Sequence, residues 1–490
     1  MEKNMCKYIE DILDEIDFDF NDFYEKENEF LEKLKLLDDF LISEEKEKLD
    51  KFINEHSYNN IRSCKASEIV RFENLSYIAF NLINEFKNKK HYLKYSDVIA
   101  FGIKFSSFSG NSKLSKFNRL MNFDYLKSKL KTIRSIYIEC YNLNLTKKSY
   151  VTDELLFFTK KKLEKEKEFL DNRFLKNNFG SVFSLSDLTR SSEAKASELY
   201  AFNKQLEEKA DALGYTWIFA TITCPPKFHI NPQNGSNSWD RESTPKDSVI
   251  FLNKIWSNFR KKMNKLEINF FGFWSKEPHA SSSVHKHILV YVNKNNVSTV
   301  CRCISHYTKV AFEFFSPKVF IPKVSCFFEI EKESEKLSEK GVKKAKPSSY
   351  IFKYIKKSLF DDCSDLNNDK IKAHYKKYKY RRFGFFGIDR CISLWRELKR
   401  FNKLGLKTDS EALNSLLEQV KNNNFKDFCV NPLKNVISYF YKDAIYDDSF
   451  NLLELPVDKY GDFKKQVRGI ISQGVIYKTR FEYTLFVGSQ

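Results

Sequence analysis

The chain is poor in residues that break regular structure and in residues that hold structural metals. Its 490 residues include 14 glycines, 10 prolines, 10 cysteines and 8 histidines. No CxxC pair occurs, and the closest cysteines are Cys301 and Cys303, so a structural zinc site of the usual spacing is not expected. No apolar run approaches the roughly 20 residues that a membrane-spanning helix needs. We therefore expect no membrane span.

Two further absences narrow the function. The sequence contains no GxxxxGK[ST] motif, which excludes a recognisable ATP-driven motor of the P-loop type. It shows no repeat of fixed period. The start of the sequence shows no secretory signal pattern, so we expect reduced cysteine thiols and a soluble protein of the cytosol.

The charge of the chain is strongly positive. A formal net charge of +18 and a pI near 9.1 fit a partner that carries phosphates, either nucleic acid or an anionic membrane surface. Scarce glycine, alanine and proline, with abundant lysine, asparagine, isoleucine, phenylalanine and tyrosine, are also typical of an AT-rich genome. The charge alone therefore identifies no partner.

Three regions of the chain differ in composition and in the spacing of their apolar residues. Residues 1–185 are rich in Glu, Lys, Leu and Phe at helical spacing, which predicts a mostly helical region of unknown role. Residues 186–402 mix helix patterns with strands predicted in YTWIFATITCPP, INFFGFWSKE, VHKHILVYV and RRFGFFGI. This order favours an α+β domain with a central antiparallel sheet and flanking helices. Residues 403–490 mix both patterns and are left unassigned.

Three of the eight histidines lie in the stretch EPHASSSVHKH, residues 277–287. Successive side chains of a strand point to opposite faces, so His285 and His287 project together while Lys286 points away. Two imidazoles at this spacing can share one metal ion. The preceding strand is antiparallel and ends near Glu277, so a carboxylate can reach the same ion. Two imidazoles and one carboxylate leave open coordination positions, which is typical of catalytic metal sites.

A pair of tyrosines lies downstream in SSYIFKYIKKSL. Tyr350 and Tyr354 are four residues apart and share one side of a predicted helix, for which Ser348 is the expected N-cap. A helical wheel places the pair between an apolar face and a lysine-rich face, which comprise Ile351, Phe352, Ile355 and Leu359, and Lys353, Lys356 and Lys357. Flanking ammonium groups favour the phenolate that a nucleophile requires and are well placed to meet a phosphodiester.

Neither spacing is specific by itself. An HxH pair occurs by chance in roughly one in eight chains of this composition, and a YxxxY pair about once per chain. A second such pair, Tyr137 and Tyr141 in IYIECYNL, is interpreted as core packing. Only the surrounding sequence separates the two tyrosine pairs.

The segments together resemble the bacteriophage replication gene A proteins. The resemblance rests on ADALGYTWIFATITCPPKFH, FWSKEPHASSSVHKHILVYV, YIFKYIKK and RRFGFFGIDRCISLWRELKR, in this order, and covers residues 187–402. That family is similar to rolling-circle replication initiators of the HUH endonuclease superfamily with two active-site tyrosines.

The resemblance implies a metal-dependent nickase that joins itself covalently to DNA. His285 and His287 match the histidine pair of the family, Glu277 matches the acidic position upstream, and Tyr350 and Tyr354 match the two nucleophiles. The implied cofactor is Mg²⁺ or Mn²⁺, which polarises the scissile phosphate. One tyrosine forms a 5′-phosphotyrosine and leaves a 3′-OH primer, and the second tyrosine later cuts the regenerated origin.

The implied partners follow from the same resemblance. The substrate is single-stranded DNA at a phage or prophage origin in the cytoplasm of a bacterial host. Because the chain has no motor motif, a host helicase and a host DNA polymerase are implied as well, and no membrane is. A related HUH relaxase or transposase, a DNA-binding replication protein that does not cleave, and a zinc-dependent hydrolase are the alternatives.

Further residues have weaker assignments. His279 is the alternative third metal ligand, and His229 in CPPKFH is a candidate neighbour of the site. Arg396 and Glu397 are expected to form a pair on a helix surface. The candidate DNA-binding residues, argued as contacts to the phosphate backbone, are Lys353, Lys357, Arg381 and Arg382.

Two positions depart from the pattern of the family. Lys286 stands where the family usually has a large apolar or aromatic residue between the histidines. Because its side chain points away from the metal, we expect an effect on packing rather than on catalysis. The sequence ASSSV replaces the Asp-Gly turn that the family tends to carry, which leaves the role of His279 open.

Overall fold

The computed structural model describes most of the chain from residue 65 onward. The described residues are 65–72, 74–88, 98–99, 101, 103–104, 118–146, 149–177, 180–232, 238–315, 328–332, 346–359, 366–388, 390–480 and 483–487. Within them, no helix combines the length and the apolar character that crossing a bilayer requires. No disulfide joins two of the cysteines within these residues.

Both compact units of the chain combine helices with short strands. The helices are α1 (Leu75–Asn88), α2 (Phe123–Asn144), α3 (Asp153–Asp171), α4 (Leu185–Leu188), α5 (Ser192–Ala212), α6 (Pro245–Lys265), α7 (Val297–Phe315), α8 (Pro347–Leu359), α9 (Leu366–Tyr378), α10 (Cys391–Lys403), α11 (Glu411–Lys421) and α12 (Phe425–Val430). The strands are β1 (Val98–Ile99), β2 (Ile103–Lys104), β3 (Arg173–Asn177), β4 (Val182–Ser184), β5 (Tyr215–Ile222), β6 (Phe270–Pro278), β7 (Val284–Asn293), β8 (Phe328–Lys332), β9 (Phe383–Phe386), β10 (Ser438–Tyr441), β11 (Ile445–Tyr446), β12 (Leu452–Glu454), β13 (Val467–Ser472), β14 (Val475–Lys478) and β15 (Tyr483–Val487).

The described residues form two compact units. Those between 142 and 440 and from 467 onward belong to the first, and those before 142 and between 441 and 466 belong to the second. In the second unit, Arg119 pairs with Asp458 at 3.1 Å and with Asp462 at 2.5 Å. Tyr137 is buried in the core of this unit and Tyr141 packs against it, which confirms the packing interpretation of that tyrosine pair.

A five-stranded antiparallel sheet organises the first unit. Its strand order is β8-β5-β7-β6-β9, so β7 lies at the centre and β9 at one edge. The hairpin of β6 and β7 pairs from Phe270 opposite Val292 to Pro278 opposite Val284. Helices flank this sheet, so the predicted combination of helices with an antiparallel sheet is confirmed.

The two faces of the sheet carry different cores because side chains alternate along each strand. On β7, Ile288, Val290 and Val292 point toward α6 and α7. Leu289 and Tyr291 point to the other face, where α5, α8 and α10 to α12 pack. This double burial explains why β7 reads as a nearly continuous apolar run. It also predicts that His285 and His287, which have the parity of Leu289, share a face with α8.

Strands occur outside the predicted α+β region as well. β3 pairs with β4 and with β15, so residues 173–177 join residues 483–487 across the length of the chain. The mostly helical region predicted for residues 1–185 therefore includes strands in its described part. The predicted domain boundaries at residues 185 and 402 stay predictions.

Candidate active site

The hairpin of β6 and β7 carries the histidine stretch. In its register, Glu277 lies opposite His285, and Ser275 lies opposite His287. The rings of His285 and His287 are nearly parallel, with an angle of 11° between their planes and 6.4 Å between their centroids. The prediction that the two imidazoles project to one face is confirmed.

His287 is held from two sides. Its Nδ1 is joined to Thr221 Oγ1 on the neighbouring β5 by a hydrogen bond of 2.9 Å. Its Nε2 lies 3.5 Å from a carboxylate oxygen of Glu277 on β6. The ring is therefore oriented by strands on both sides of β7, and the predicted carboxylate does lie beside the histidine pair.

The ring of His285 has fewer polar contacts than that of His287. The ring as a whole is half-buried, yet its Nε2 is enclosed and has no hydrogen-bond partner among the described residues. Burial lowers the pKa of His285 well below its ordinary value, and the neighbouring imidazoles of His279, His287 and His229 lower it further. A neutral imidazole with an unused lone pair is the form that ligates a metal ion.

His279 and His229 are linked by a serine of the turn. The Ser281 hydroxyl lies 2.6 Å from His229 Nδ1 and 2.8 Å from His279 Nδ1. The His229 ring is fixed further by Cys224, whose carbonyl oxygen is 3.0 Å from Nε2. The His279 ring is 4.8 Å from that of His285, between centroids. Both weaker candidates thus lie beside the histidine pair, and Ser281 determines their spacing.

The turn between β6 and β7 has a serine at a position where the backbone conformation favours glycine. Ser282 has a φ of 64°, in the left-handed region that favours glycine. Its N–H donates to the carbonyl of His279 at 2.8 Å, and the His279 N–H donates to Ser283 at 2.7 Å. His374 Nε2 contacts the Ser282 carbonyl oxygen at 3.0 Å. The tight turn is therefore kept without the Asp-Gly sequence, with support from α9.

Two histidines and one carboxylate are the candidate metal ligands of this site. Among the described residues, no three histidine, cysteine, aspartate or glutamate side chains stand together as a metal-binding group. The enclosed, unpartnered Nε2 of His285 nevertheless calls for a partner, and His287 and Glu277 offer one nitrogen and one carboxylate nearby. His285, His287 and Glu277 are therefore the residues of this site that could hold a divalent ion.

Helix α8 places the tyrosine pair against the histidines. The ring of Tyr354 lies 3.9 Å from that of His287, between centroids, and 5.7 Å from that of Phe219 on β5. Tyr350 meets Phe219 edge to face at 4.7 Å and lies 5.9 Å from Tyr354. Ile351 and Ile355 are fully buried, as the helical wheel predicts. The structure therefore brings the predicted catalytic and metal residues together.

The start of α8 corrects one prediction. Ser348 is not the N-cap, because the helix begins at Pro347, a residue whose fixed φ and missing N–H suit a first turn. The Ser348 N–H donates instead to the carboxylate of Glu207 on α5 at 3.0 Å. A buried carboxylate from another helix thus accepts a first-turn N–H that a local N-cap would otherwise satisfy. Sequence spacing cannot reveal such a distant partner.

The basic candidates differ in their exposure. Lys353 and Arg381 are exposed. Arg382 is half-buried, and its guanidinium lies 5.1 Å from the ring centre of Tyr375. Burial lowers the pKa of Arg382, while Tyr375 and Tyr380 oppose that shift. Lys357 belongs to α8, but its side chain is outside the described residues.

Lys286 lies on the opposite face of the sheet, as predicted. Its ammonium sits between the rings of Trp256, at 4.7 Å, and Trp274, at 4.9 Å. It is fully buried, and its Nζ has no hydrogen-bond partner in the described part of the chain. Burial lowers its pKa well below the ordinary value, with Lys276 and Arg260 adding to the effect. The residue therefore packs among aromatic rings, away from the histidines.

The prediction that Arg396 and Glu397 form a pair on the surface of α10 is wrong. Glu397 is buried and binds Arg400 at 2.5 Å and Arg480 at 3.0 Å. Arg396 instead donates to Glu198 on α5, with Nε at 3.1 Å from the carboxylate. Neighbouring residues of a helix point about 100° apart, so these two side chains contact different parts of the protein.

Several residues that build the site were missed in the sequence. Thr221 orients His287, Ser281 joins His229 to His279, and Glu207 holds the start of the tyrosine helix. From α9, which was not predicted, Tyr375 donates its hydroxyl to the carbonyl of Lys276 at 2.7 Å. One signal for Thr221 was present in the sequence: it lies two residues after Phe219 on an alternating strand, so the two side chains share a face of the sheet.

The fold and the site define a mixed helix and antiparallel-sheet protein with histidines and tyrosines gathered on one face of its central sheet. The chain belongs to the bacteriophage replication gene A protein (GPA) family, whose profile matches residues 106–361. The family expected from four sequence segments is thereby confirmed.

Three relatives illustrate the similarity. The probable replication protein P12 of Pseudoalteromonas phage PM2 is 24% identical over 379 residues, which cover 72% of this chain and 56% of the relative. The replication gene A protein of Escherichia phage 186 is 26% identical over 307 residues, or 58% of this chain and 42% of the relative. A probable replication endonuclease from a prophage-like region of Escherichia coli O6:H1 is 26% identical over 269 residues, or 49% and 30%.

The chain thus spans about half, or less, of the length of these curated relatives. No solved structure matches it.

Proposed function

We propose that the protein initiates rolling-circle replication of a phage or prophage genome as a site-specific, metal-dependent nickase and strand transferase. The observation that carries this proposal is the contact between Tyr354 and His287, with 3.9 Å between ring centroids. It joins a tyrosine pair to a histidine pair on one face of an antiparallel sheet. We infer that this sheet is the central sheet of an HUH-type endonuclease domain.

His285, His287 and Glu277 are the proposed holders of a Mg²⁺ or Mn²⁺ ion, with His279 as the alternative third ligand. When bound, such an ion polarises the scissile phosphate and offsets the negative charge that develops on it. Thr221 keeps the His287 ring in position for this role.

The chemistry proposed for the tyrosines conserves the phosphodiester energy. The phenolic oxygen of Tyr350 or Tyr354 attacks phosphorus and forms a P–O bond, while the bond to the 3′-oxygen breaks. The phenol gives its proton to solvent, and the leaving 3′-oxygen takes one up. The 3′-OH then primes synthesis, and the second tyrosine cuts the regenerated origin. Attack of the released 3′-OH on the first phosphotyrosine closes the displaced strand without ATP.

The remaining assignments are part of the same proposal. Single-stranded origin DNA is the substrate, with Lys353, Lys357, Arg381 and Arg382 as contacts to its backbone. A host helicase and a host DNA polymerase in the bacterial cytoplasm would open the duplex and extend the primer. Relatives from phages and prophage-like regions, among them a probable replication endonuclease, support this context.

The decisive experiment is the search for a covalent adduct. The protein is incubated with Mg²⁺ and a pool of labelled single-stranded DNA, and the adduct is resolved in denaturing gels and mapped by mass spectrometry. We expect a metal-dependent adduct on Tyr350 or Tyr354 that EDTA prevents and that Tyr350→Phe/Tyr354→Phe abolishes. The double variant Tyr137→Phe/Tyr141→Phe, a pair of the same spacing, is the matched control and should retain the adduct.

Each other outcome has a definite meaning. DNA hydrolysis without an adduct would support a hydrolase instead, and binding without cleavage would support a replication protein that does not cut. An adduct that survives the loss of both tyrosines would overturn their assignment as nucleophiles.

A further inference from the structure

Hydrogen bonds lead from His229 to His279 through the turn between β6 and β7. The Ser281 hydroxyl joins the two rings, at 2.6 Å from His229 Nδ1 and 2.8 Å from His279 Nδ1. The Ile230 N–H also donates to the Ser281 carbonyl oxygen at 3.1 Å, so the main chain holds the two segments together. Ser281 is 1% exposed, which shields its hydroxyl from bulk water. We call the three linked side chains, those of His229, Ser281 and His279, the serine bridge.

The position of the first proton follows from a carbonyl group. The carbonyl oxygen of Cys224 is 3.0 Å from His229 Nε2, and a carbonyl oxygen can only accept. His229 therefore carries a proton on Nε2. Burial lowers the pKa of His229, and His279 lowers it further against the bond to Cys224, so the ring is neutral at pH 7. A neutral imidazole with a proton on Nε2 has its lone pair on Nδ1.

The Ser281 hydroxyl passes this constraint to His279. A hydroxyl has one proton to donate and lone pairs that accept. The nearest lone pair is that of His229 Nδ1, at 2.6 Å, and Ser283 Oγ is farther from that nitrogen, at 3.2 Å. Since Ser281 donates to His229, its oxygen accepts from His279 at 2.8 Å. His279 therefore carries its proton on Nδ1 and its lone pair on Nε2.

One other donor competes for the same nitrogen of His279. The Ser281 main-chain N–H lies 3.3 Å from His279 Nδ1 and would bind it if that nitrogen had no proton. The hydroxyl oxygen is nearer, at 2.8 Å, so the contact through the side chain prevails. Removal of the hydroxyl would leave the N–H as the donor, and the proton of His279 would then move to Nε2.

The form of His279 matters because a metal ion binds the lone pair of a neutral imidazole. We propose that His229 is a positioning residue, which acts through Ser281 to hold His279 with its proton on Nδ1, so that Nε2 is in the form that can bind a divalent ion. The ring of His279 lies 4.8 Å from that of His285, between centroids. The inference rests on the proposed function for the ion, but the protonation of the two rings does not.

The protonated nitrogens can be identified without metal or DNA. Long-range ¹H–¹⁵N spectra of the full chain, with labelled histidine and EDTA, distinguish rings protonated on Nδ1 from rings protonated on Nε2. The variants His229→Phe and His279→Gln assign the two sets of resonances. We expect His229 to be protonated on Nε2 and His279 on Nδ1. A doubly protonated His229, or a His279 with its proton on Nε2, would overturn the proposal.

Two variants should move the proton of His279 without changing that residue. Ser281→Ala leaves the main-chain N–H as the donor to His279 Nδ1. His229→Phe keeps a ring but removes the acceptor of the Ser281 proton, so the hydroxyl donates to His279 instead. Both variants should protonate His279 on Nε2, and thermal unfolding checks that each one folds. Ser275→Ala is the matched control, because Ser275 is buried on the same hairpin and its hydroxyl has no partner among the described residues.

The effect on metal binding is measured with Mn²⁺ alone, by the electron paramagnetic resonance of the free ion. We expect Ser281→Ala and His229→Phe to weaken Mn²⁺ binding by about 10- to 100-fold, and Ser275→Ala to leave it unchanged. In a His279→Ala background, Ser281→Ala should cause no further loss. Equal losses in the two backgrounds, or an affinity that neither Ser281→Ala nor His229→Phe changes, would overturn the proposal.

The two proposals can fail separately. Mn²⁺ binding that depends on Ser281, together with the absence of a covalent adduct, would reject the nickase and keep the serine bridge. An adduct that forms normally in a protein whose His279 is protonated on Nε2 would do the reverse.

Discussion

At the scale of single residues, the candidate site depends on groups that hold the histidines as much as on the histidines themselves. His287 has Thr221 on one ring nitrogen and Glu277 near the other. Partners that orient a metal-ligating imidazole commonly change metal affinity or activity by about 10- to 100-fold when they are removed. Thr221 is therefore the sharpest single-residue test of how the site is built.

We predict that Thr221→Val raises the Mg²⁺ concentration needed for half-maximal adduct formation by about 10- to 100-fold. Valine keeps the shape of threonine but removes the hydroxyl that binds His287 Nδ1. Thr221→Ser keeps the hydroxyl and should stay close to the original protein. A metal titration of the valine variant that matches the original protein would show that Thr221 does not position His287.

The burial of His374 leads to a prediction about the pH dependence of stability. His374 is fully buried between the Ser282 carbonyl oxygen and the Tyr380 hydroxyl. Burial lowers its pKa to about 4, although the bond to Ser282 opposes the shift. Since an unfolded histidine has a pKa of about 6.5, the unfolded state binds more protons between these values. Stability linked to His374 is therefore full above about pH 6.5 and is lost as the pH falls toward 4.

We predict that the original protein loses about 2 kcal/mol more unfolding free energy than His374→Gln when the pH falls from about 7 to 5. Glutamine retains a donor for the Ser282 carbonyl but does not titrate. Urea unfolding of both proteins at the two pH values measures the difference. Equal losses in both proteins would show that His374 is protonated as easily in the folded state as in the unfolded state.

Residue-scale predictions from the sequence succeed where they depend on parity and fail where they depend on distant partners. The alternation of β7 placed His285 and His287 on one face and Lys286 on the other. Thr221 is 66 residues away from His287 in the chain. Such a contact depends on which strands become neighbours, and a single sequence does not state that.

At the scale of elements, the tyrosine helix was recognisable, but the way it is anchored was not. The apolar face of α8 follows from its spacing, and this face packs on the sheet side that carries the histidines. The pair Tyr137 and Tyr141 has the same spacing and packs in a different core. The start of α8 is held by Glu207 on α5, a partner 141 residues away from Ser348.

We predict that Glu207→Ala destabilises the start of α8 by about 1–2 kcal/mol, because the first-turn N–H groups lose a buried acceptor. Hydrogen exchange of the amides in the first turn should accelerate, and adduct formation should fall because the tyrosines lose their fixed position. Glu208→Ala, at a half-buried neighbour on the same helix, is the control and should leave both measurements unchanged. Unaltered exchange in Glu207→Ala would contradict this account of the helix start.

At the scale of the first unit as a whole, one hydrophobic core joins the candidate site to residues that the sequence left unassigned. Trp395 on α10 packs against Phe425 and Phe428, with ring centroids at 5.2 and 5.1 Å. The same core contains Phe219 on β5 and Ile355 on α8. Local patterns found the strands and most of the helices around the histidines, but not α9. They could not find pairings such as β3 with β15, which join segments about 300 residues apart.

We predict that a fragment of residues 186–402 does not fold stably, whereas a fragment of residues 142–490 does. Cutting at residue 402 removes Leu416, Phe425, Phe428 and Ile470 from the core that they share with Trp395. Each fully buried side chain of this size contributes about 1.5–3 kcal/mol, and a typical domain has only about 5–15 kcal/mol of net stability. The short fragment should bind a hydrophobic dye and lack a cooperative thermal transition in circular dichroism. A cooperative transition at the temperature of the longer fragment would instead support residue 402 as a true domain boundary.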